Sequence, residues 1–252
     1  MNLLKSIKNN IPNTITCLNL LSGAIACILA TSGSEHIGGN LDNLTYYQLS
    51  FCMIAAAAVF DFLDGFAARL LNAVSSIGKE LDSLSDCVSF GLAPTFIVYF
   101  MMQDIFPGSW VAYTAPLIAV FGAVRLARFN VDSTQASSFV GLPIPANAIF
   151  WIGFCDWFYA ANNPVSVSGL EYLALAFVLI MSMMMVSPMR MFSLKFKNYG
   201  IKDNYHRYLL VAATILSIII FKLPGLACTI IIYMILAVIF RKKELDALKQ
   251  GH

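Results

Sequence analysis

The chain has 252 residues, of which 59% are hydrophobic and 12% charged, and its mean hydropathy is +0.74. Soluble domains carry about twice that charged fraction, so the composition excludes an ordinary water-soluble globule and points to lipid. Lys and Arg number 16 against 14 Asp and Glu, a net charge of +2, too evenly balanced for a nucleic-acid-binding surface, and no nucleic-acid partner is expected.

In chain order, residues 1–11 are apolar at Leu3, Leu4, Ile7 and Ile11 with Lys5 and Lys8 between them, which predicts a short amphipathic helix on the bilayer surface. The apolar run that follows has the outline of a cleaved signal or lipoprotein sequence ending at Ala24-Ile25-Ala26-Cys27. A lipoprotein box prefers Leu where Ala24 stands, so an uncleaved first helix is expected. A spanning helix needs roughly 20 apolar residues. Candidate stretches run from Thr14 to Thr31, Tyr47 to Leu71, Lys79 to Met102, Trp110 to Phe129, Ile144 to Ala161, Leu170 to Val186, Leu209 to Leu223 and Leu226 to Phe240. Breakers fall between them at Gly38-Gly39, Pro107-Gly108, Gly141 to Pro145, Pro164, Pro188 and Pro224-Gly225. The fold class read from this pattern is all-α, a polytopic membrane protein of about eight transmembrane helices forming a single integral membrane domain over 1–252.

Threading eight spans puts 15 of the 16 Lys and Arg residues on one side, with only Lys222 on the other. That bias predicts cytoplasmic N and C termini. The six cysteines are scattered through apolar stretches with no C-x-x-C or Cys/His spacing, and read as small core residues.

Intramembrane carboxylates are expensive and usually functional, which makes the end of the second stretch and the start of the third conspicuous. Asp61 and Asp64 are three apart, and Asp82 and Asp86 four apart, so each pair projects from one helical face near the same membrane surface. Four clustered carboxylates repel one another unless cations are present. All-oxygen ligation by these carboxylates favours two divalent ions, Mg or Mn, the usual apparatus for clamping a phosphoryl group. Gly65 and Ala68 lie on the face of Asp61 and leave room for a ligand. Arg69, one turn further, can reach a phosphate oxygen, and Ser75 and Gly78 sit in the turn leading to the second pair. Taken singly, each has a plainer reading: Asp61 and Asp64 as polar glue, Arg69 and Lys79 as cytoplasmic anchors, the small residues as packing surface. A cation transporter using the four Asp residues is the rival from another class, opposed by their clustering at one membrane face and by the lack of broken helices with matching halves.

Spelled out, Asp61 to Asp86 reads D-x-x-D-G-x-x-A-R, eight residues, G, three residues, D, three residues, D. This resembles the signature of the CDP-alcohol phosphatidyltransferase family at every fixed position, and the likeness extends over roughly the first six spans. The resemblance implies a membrane enzyme, commonly a homodimer, with a catalytic six-helix core (here residues 12–190) around a polar cavity open to the cytoplasm, followed here by a basic loop and two C-terminal helices over 191–252. It implies transfer of a phosphatidyl group from a CDP-linked donor to a hydroxyl, with release of CMP. Asp61, Asp64 and Asp82 would be metal ligands, and Asp86 both a ligand and the general base. Gly65, Arg69 and Ser75 would contact the CDP-linked donor, Ala68 and Gly78 would give clearance, and Asn13 and Thr16 would border the nucleotide.

The segments PNTITCLNLLSG, from Pro12, and RLARFNVDSTQASSFVGLPIPANA, from Arg125, resemble those of the membrane-integral phosphatidylserine synthases within the family. That likeness implies CDP-diacylglycerol and L-serine as substrates and a bacterial inner membrane with the active site facing the cytoplasm. Glycerol 3-phosphate, inositol or choline are the alternative acceptors. Arg125 and Arg128, three apart near the cytoplasmic end of their span, are candidates for the serine carboxylate, with Asn130 completing the pocket; positive-inside anchoring is their plainer reading. His36, His206 and His252 are expected in loops or the tail. With no Ser/His or Cys/His pair found, attack would be direct and in line.

Overall fold

The computed structural model describes residues 3–36, 44–131, 139–162, 169–192 and 200–249. The expected breakers Gly38-Gly39 and Pro164, the loop lysines Lys195 and Lys197, and His252 lie outside these residues.

Helices α1 (Leu3–Ser32), α2 (Tyr46–Leu70), α3 (Ser76–Asp86), α4 (Ala93–Ile105), α5 (Pro116–Val131), α6 (Ile144–Asn162), α7 (Glu171–Val186), α8 (Ile201–Phe221) and α9 (Gly225–Lys249) make up the described chain, with two short strands, β1 (Phe139–Val140) and β2 (Arg190–Met191). A π turn over Cys87–Leu92 joins α3 to α4, so the two form one continuous 30-residue helix from Ser76 to Ile105. The nine labels therefore correspond to the eight predicted spans. Five of these helices are long and apolar enough to cross a membrane, with shorter apolar helices at Glu171–Val186 and Gly225–Phe240. The chain is an all-α polytopic membrane protein.

Local chemistry accounts for the helix ends. Thr45 caps α2 through a reciprocal pair of hydrogen bonds with Gln48, each 3.3 Å. Ser75 caps α3, its Oγ accepting the Gly78 N–H at 3.0 Å. Pro94 at the head of α4 brings no N–H to the turn before it, where the helix widens into the π turn. A 3₁₀ turn at Trp110–Thr114 leads into α5.

Several boundaries differ from expectation, among them the end of α9, which runs past Phe240 to Lys249. α1 is helical from Leu3 and runs through Pro12 without a break, so the predicted interfacial segment is joined directly to the first span. α3 begins at Ser76, ahead of Lys79, because the Ser75 cap starts it early, and Gly78 therefore lies in its first turn, not in the connection. α8 begins at Ile201, ahead of Leu209. His206, expected in a loop, is consequently helical and buried, its ring set against Phe192, Tyr205 and Phe240.

The helices pack through small and hydroxyl residues, as lipid-embedded bundles do. α1 makes its broadest contact with α2, where Ser50 Oγ donates to the Ala26 carbonyl at 2.8 Å. On its other flank α1 meets the π turn so closely that a Cβ at Gly23 would lie 2.6 Å from Ser89 Cα. An aromatic cluster of Phe150, Trp151, Phe154, Phe158 and Phe177 fills the space between α6 and α7. β1 and β2 pair antiparallel, Val140 opposite Arg190. The turn after β1 needs glycine: Gly141 has a φ of +77°, and a Cβ there would run into the Met185 carbonyl. Backbone bonds from Gly141 N to Met189 O (2.8 Å) and Leu142 N to Met184 O (3.0 Å) dock this turn on the end of α7. α8 leans on α9, which packs against α6 and β2, Tyr233 donating to the Phe192 carbonyl at 2.9 Å. Large apolar side chains such as Ile28, Phe62, Phe66, Ile77 and Ile219 point outward, as a lipid-facing surface requires.

Candidate active site

The capped start of α3 and the last turns of α2 bring the four aspartates together. Carboxylate oxygens of Asp61, Asp64 and Asp82 all lie within 4.8 Å of one another. Asp86, one turn beyond Asp82 and 9% exposed, interacts electrostatically with Asp61 and Asp82. Asp64 is buried, with Thr16 beside it, and its Oδ2 has no hydrogen-bond partner. A buried, unpartnered carboxylate oxygen among other carboxylates is costly unless a cation neutralises it. The donor set, all hard oxygens, suits a divalent ion. These aspartates could hold such a metal.

Beside them opens a cavity of about 210 Å³, lined by Pro12, Asn13, Thr16, Asp64, Gly65, Ala68, Ala73, Val74, Ser75, Gly78, Lys79 and Asp82. Its lining is chemically mixed: Asp64 and Asp82 offer cation ligands, and the first turn of α3 offers backbone N–H groups and a helix dipole that favour an anion. A metal-bound diphosphate has matching polarity. Gly65 faces this space openly, with nothing within 4 Å of where its Cβ would be. At Gly78 a Cβ would crowd Asn13 Oδ1 at 2.9 Å.

Six of the seven residues expected around the donor line the cavity: Asn13, Thr16, Gly65, Ala68, Ser75 and Gly78. Arg69 does not; it is exposed in the last turn of α2. Arg125 and Arg128 line a smaller cavity of about 30 Å³ with Val140, Met185, Val186 and Ser187. The two arginines differ sharply there. Arg128 is exposed and its Nη1 donates to the Val186 carbonyl at 3.0 Å. Arg125 is 6% exposed, stands 5.8 Å over the Phe129 ring, has an unpartnered Nε, and feels the charge of Asp86. Asn130 turns to α3 instead of joining this cavity: its Nδ2 donates to Ser83 Oγ at 2.8 Å, and its carbonyl accepts from Lys79 Nζ at 3.2 Å.

Sequence reasoning missed the supports on α1. Asn19, fully buried, donates from Nδ2 to Asp86 Oδ1 at 3.4 Å, and its carbonyl accepts from Ser89 Oγ at 3.0 Å. Ser85 Oγ donates to the Thr16 carbonyl at 3.2 Å. Their signal was an amide in the middle of an apolar span, together with two serines flanking Asp86. Lys79 was missed as a cavity residue because a lysine near the end of an apolar span looks like an anchor.

Comparison with known proteins bears on what this arrangement serves. A family model described as CDP-alcohol phosphatidyltransferase matches residues 9–187, most of the chain and all four aspartates. The chain belongs to the CDP-alcohol phosphatidyltransferase family. Among similar members, a CDP-diacylglycerol–serine O-phosphatidyltransferase of Helicobacter pylori is 32% identical over 236 residues, covering 90% of this chain and 89% of the relative. Proteins of the same name from Methanocaldococcus jannaschii and Bacillus subtilis are 36% identical over 146 residues and 31% identical over 175 residues. The first match covers 58% of this chain and 60% of the relative, the second 66% and 86%. This phosphatidyltransferase thus carries the family's signature on two neighbouring helix ends, with the carboxylates it contains assembled in space.

Proposed function

We propose that the chain transfers the phosphatidyl group of CDP-diacylglycerol to the hydroxyl of L-serine, forming phosphatidylserine and CMP. The observation that carries the reading is the cluster of Asp61, Asp64 and Asp82, their carboxylate oxygens within 4.8 Å of one another, beside a cavity lined by six of the seven residues expected around the donor. The names of the similar members, all serine phosphatidyltransferases, support the same acceptor.

Asp61, Asp64, Asp82 and Asp86 would hold two divalent ions, Mg or Mn. Bound there, such ions would neutralise the donor's diphosphate and make CMP a better leaving group. The chain's own residues do the rest. The donor's nucleotide and diphosphate occupy the larger cavity against Asn13, Thr16, Gly65, Ala68, Ser75 and Gly78, with Arg69 at its outer edge. Arg125 takes the serine carboxylate in a paired, charge-assisted contact, leaving the serine hydroxyl near Asp86. Asp86, oriented by Asn19, accepts the hydroxyl proton as the serine oxygen bonds to phosphorus and the bond to CMP breaks. Arg128 supports this pocket from its rim, whereas Asn130, bonded to Ser83 and Lys79, steadies α3 instead. The termini and the active site face the cytoplasm of a bacterial inner membrane, as the charge bias suggests, and the enzyme works as a homodimer.

The test is an acceptor panel. Purified protein is given CDP-diacylglycerol, a divalent metal and in turn serine, glycerol 3-phosphate, inositol and choline, while CMP and the lipid product are followed. CMP with phosphatidylserine from serine alone is expected; CMP with another acceptor and none with serine would overturn the choice of acceptor.

A further inference from the structure

We propose that Lys79 is a donor-binding residue: its ammonium group pairs with the diphosphate of CDP-diacylglycerol, and the end of α5 presents it at the cavity mouth. The inference rests on the larger cavity being the donor site. Among the described residues that line this cavity, Lys79 is the one Lys or Arg. Arg69, the cation the family signature brings to mind, stands outside the lining.

The hydrogen bonding of Lys79 suits the role. Its Nζ is held at 3.2 Å by the carbonyl of Asn130, in the last turn of α5. That end of a helix attracts a cation through its dipole. The contact is to a neutral carbonyl and not to a carboxylate, so the charge stays available. An ammonium has three N–H donors, and the bond to Asn130 uses one of them. The Asn130 side chain is tied in turn to Ser83 Oγ, one helical turn along α3 from Lys79. The long side chain is thus held by a residue that is itself tied to α3, without losing its charge, while the first turn of α3 faces the same space. An anion entering the cavity meets the helix N-terminus and this cation together.

The experiment uses the full-length purified protein and compares wild type with Lys79→Met, Lys79→Gln and Lys79→Arg. Loss of the charge is expected to raise the KM for CDP-diacylglycerol about tenfold and to leave the KM for serine within about twofold. CDP, which carries the diphosphate, should lose about tenfold as an inhibitor of both neutral variants, whereas cytidine, which lacks it, should inhibit all forms equally. Lys79→Arg should keep most of the donor affinity. Neutral variants whose donor KM and CDP inhibition match wild type would overturn the proposal alone, with the donor-site reading intact. A wild-type protein that releases no CMP would overturn that reading and the proposal with it. Lys79→Gln keeps much of the side chain's polarity and guards against a Met variant that fails to fold.

Discussion

Asn19 on α1 donates its side-chain amide to Oδ1 of Asp86 on α3, at 3.4 Å, with both side chains buried. The same Asn19 receives Ser89 Oγ on its carbonyl, so one residue fixes the carboxylate and the π turn that follows it. If Asp86 is the base, Asn19 orients it. Asn19→Leu should lower kcat about tenfold while leaving both KM values near wild type, as expected for an interaction used in the transition state. Steady-state CMP release checks this, and an unchanged kcat would remove Asn19 from the mechanism.

Two glycines should separate folding from function. Gly65→Ala puts a methyl group into empty space, with nothing within 4 Å. The change favours the helix by about 1 kcal/mol, so thermal stability should hold or rise while the donor KM increases. Gly23→Ala instead drives a methyl to 2.6 Å from Ser89 Cα. That overpacking should cost about 1–3 kcal/mol and show as a lower unfolding temperature in detergent.

The carboxylates should fail together and through metal. Asp61→Asn, Asp64→Asn and Asp82→Asn should each lower turnover by roughly a hundredfold or more. The concentration of Mg or Mn needed for half-maximal activity should rise in any variant that retains measurable turnover. Chelation of the wild type should abolish CMP release, and either ion should restore it. Full activity in chelator would contradict the metal site.

The two arginines should not behave alike, because Arg125 is buried with an unpartnered Nε and Arg128 is an exposed clasp on Val186. Arg125→Gln should raise the KM for serine by about tenfold or more, the worth of a charge-assisted pair, with little change for CDP-diacylglycerol. Arg128→Gln should change the serine KM much less. Serine titrations at saturating donor decide between them.

The eight helices, five of them long and apolar enough to cross a membrane, were legible because a long apolar stretch in lipid leaves little choice of structure. Asp61, Asp64, Asp82 and Asp86 were legible because charge at that depth is rare and their spacing repeats the helical period. The π turn at Cys87–Leu92 was not, since it breaks that period only after the last aspartate. Nor was the β1–β2 clasp, two residues to a strand and too short for any alternation to register. The early start of α8 was hidden by Lys202, Asp203, Asn204, His206 and Arg207, polar residues that a hydropathy reading assigns to a loop. Asn19 and Ser89 form contacts across α1 and the π turn that depend on Gly23 letting the backbones approach, a three-dimensional condition with no mark in the local sequence.

The most direct test of direct transfer to serine follows phosphorus and oxygen together. The purified enzyme would receive CDP-diacylglycerol made chiral at the phosphatidyl phosphorus and L-serine labelled with heavy oxygen in its hydroxyl. The predicted result is phosphatidylserine that carries the label in its phosphodiester and has inverted configuration at phosphorus. Retained configuration, or a product without the label, would contradict in-line attack by the serine hydroxyl.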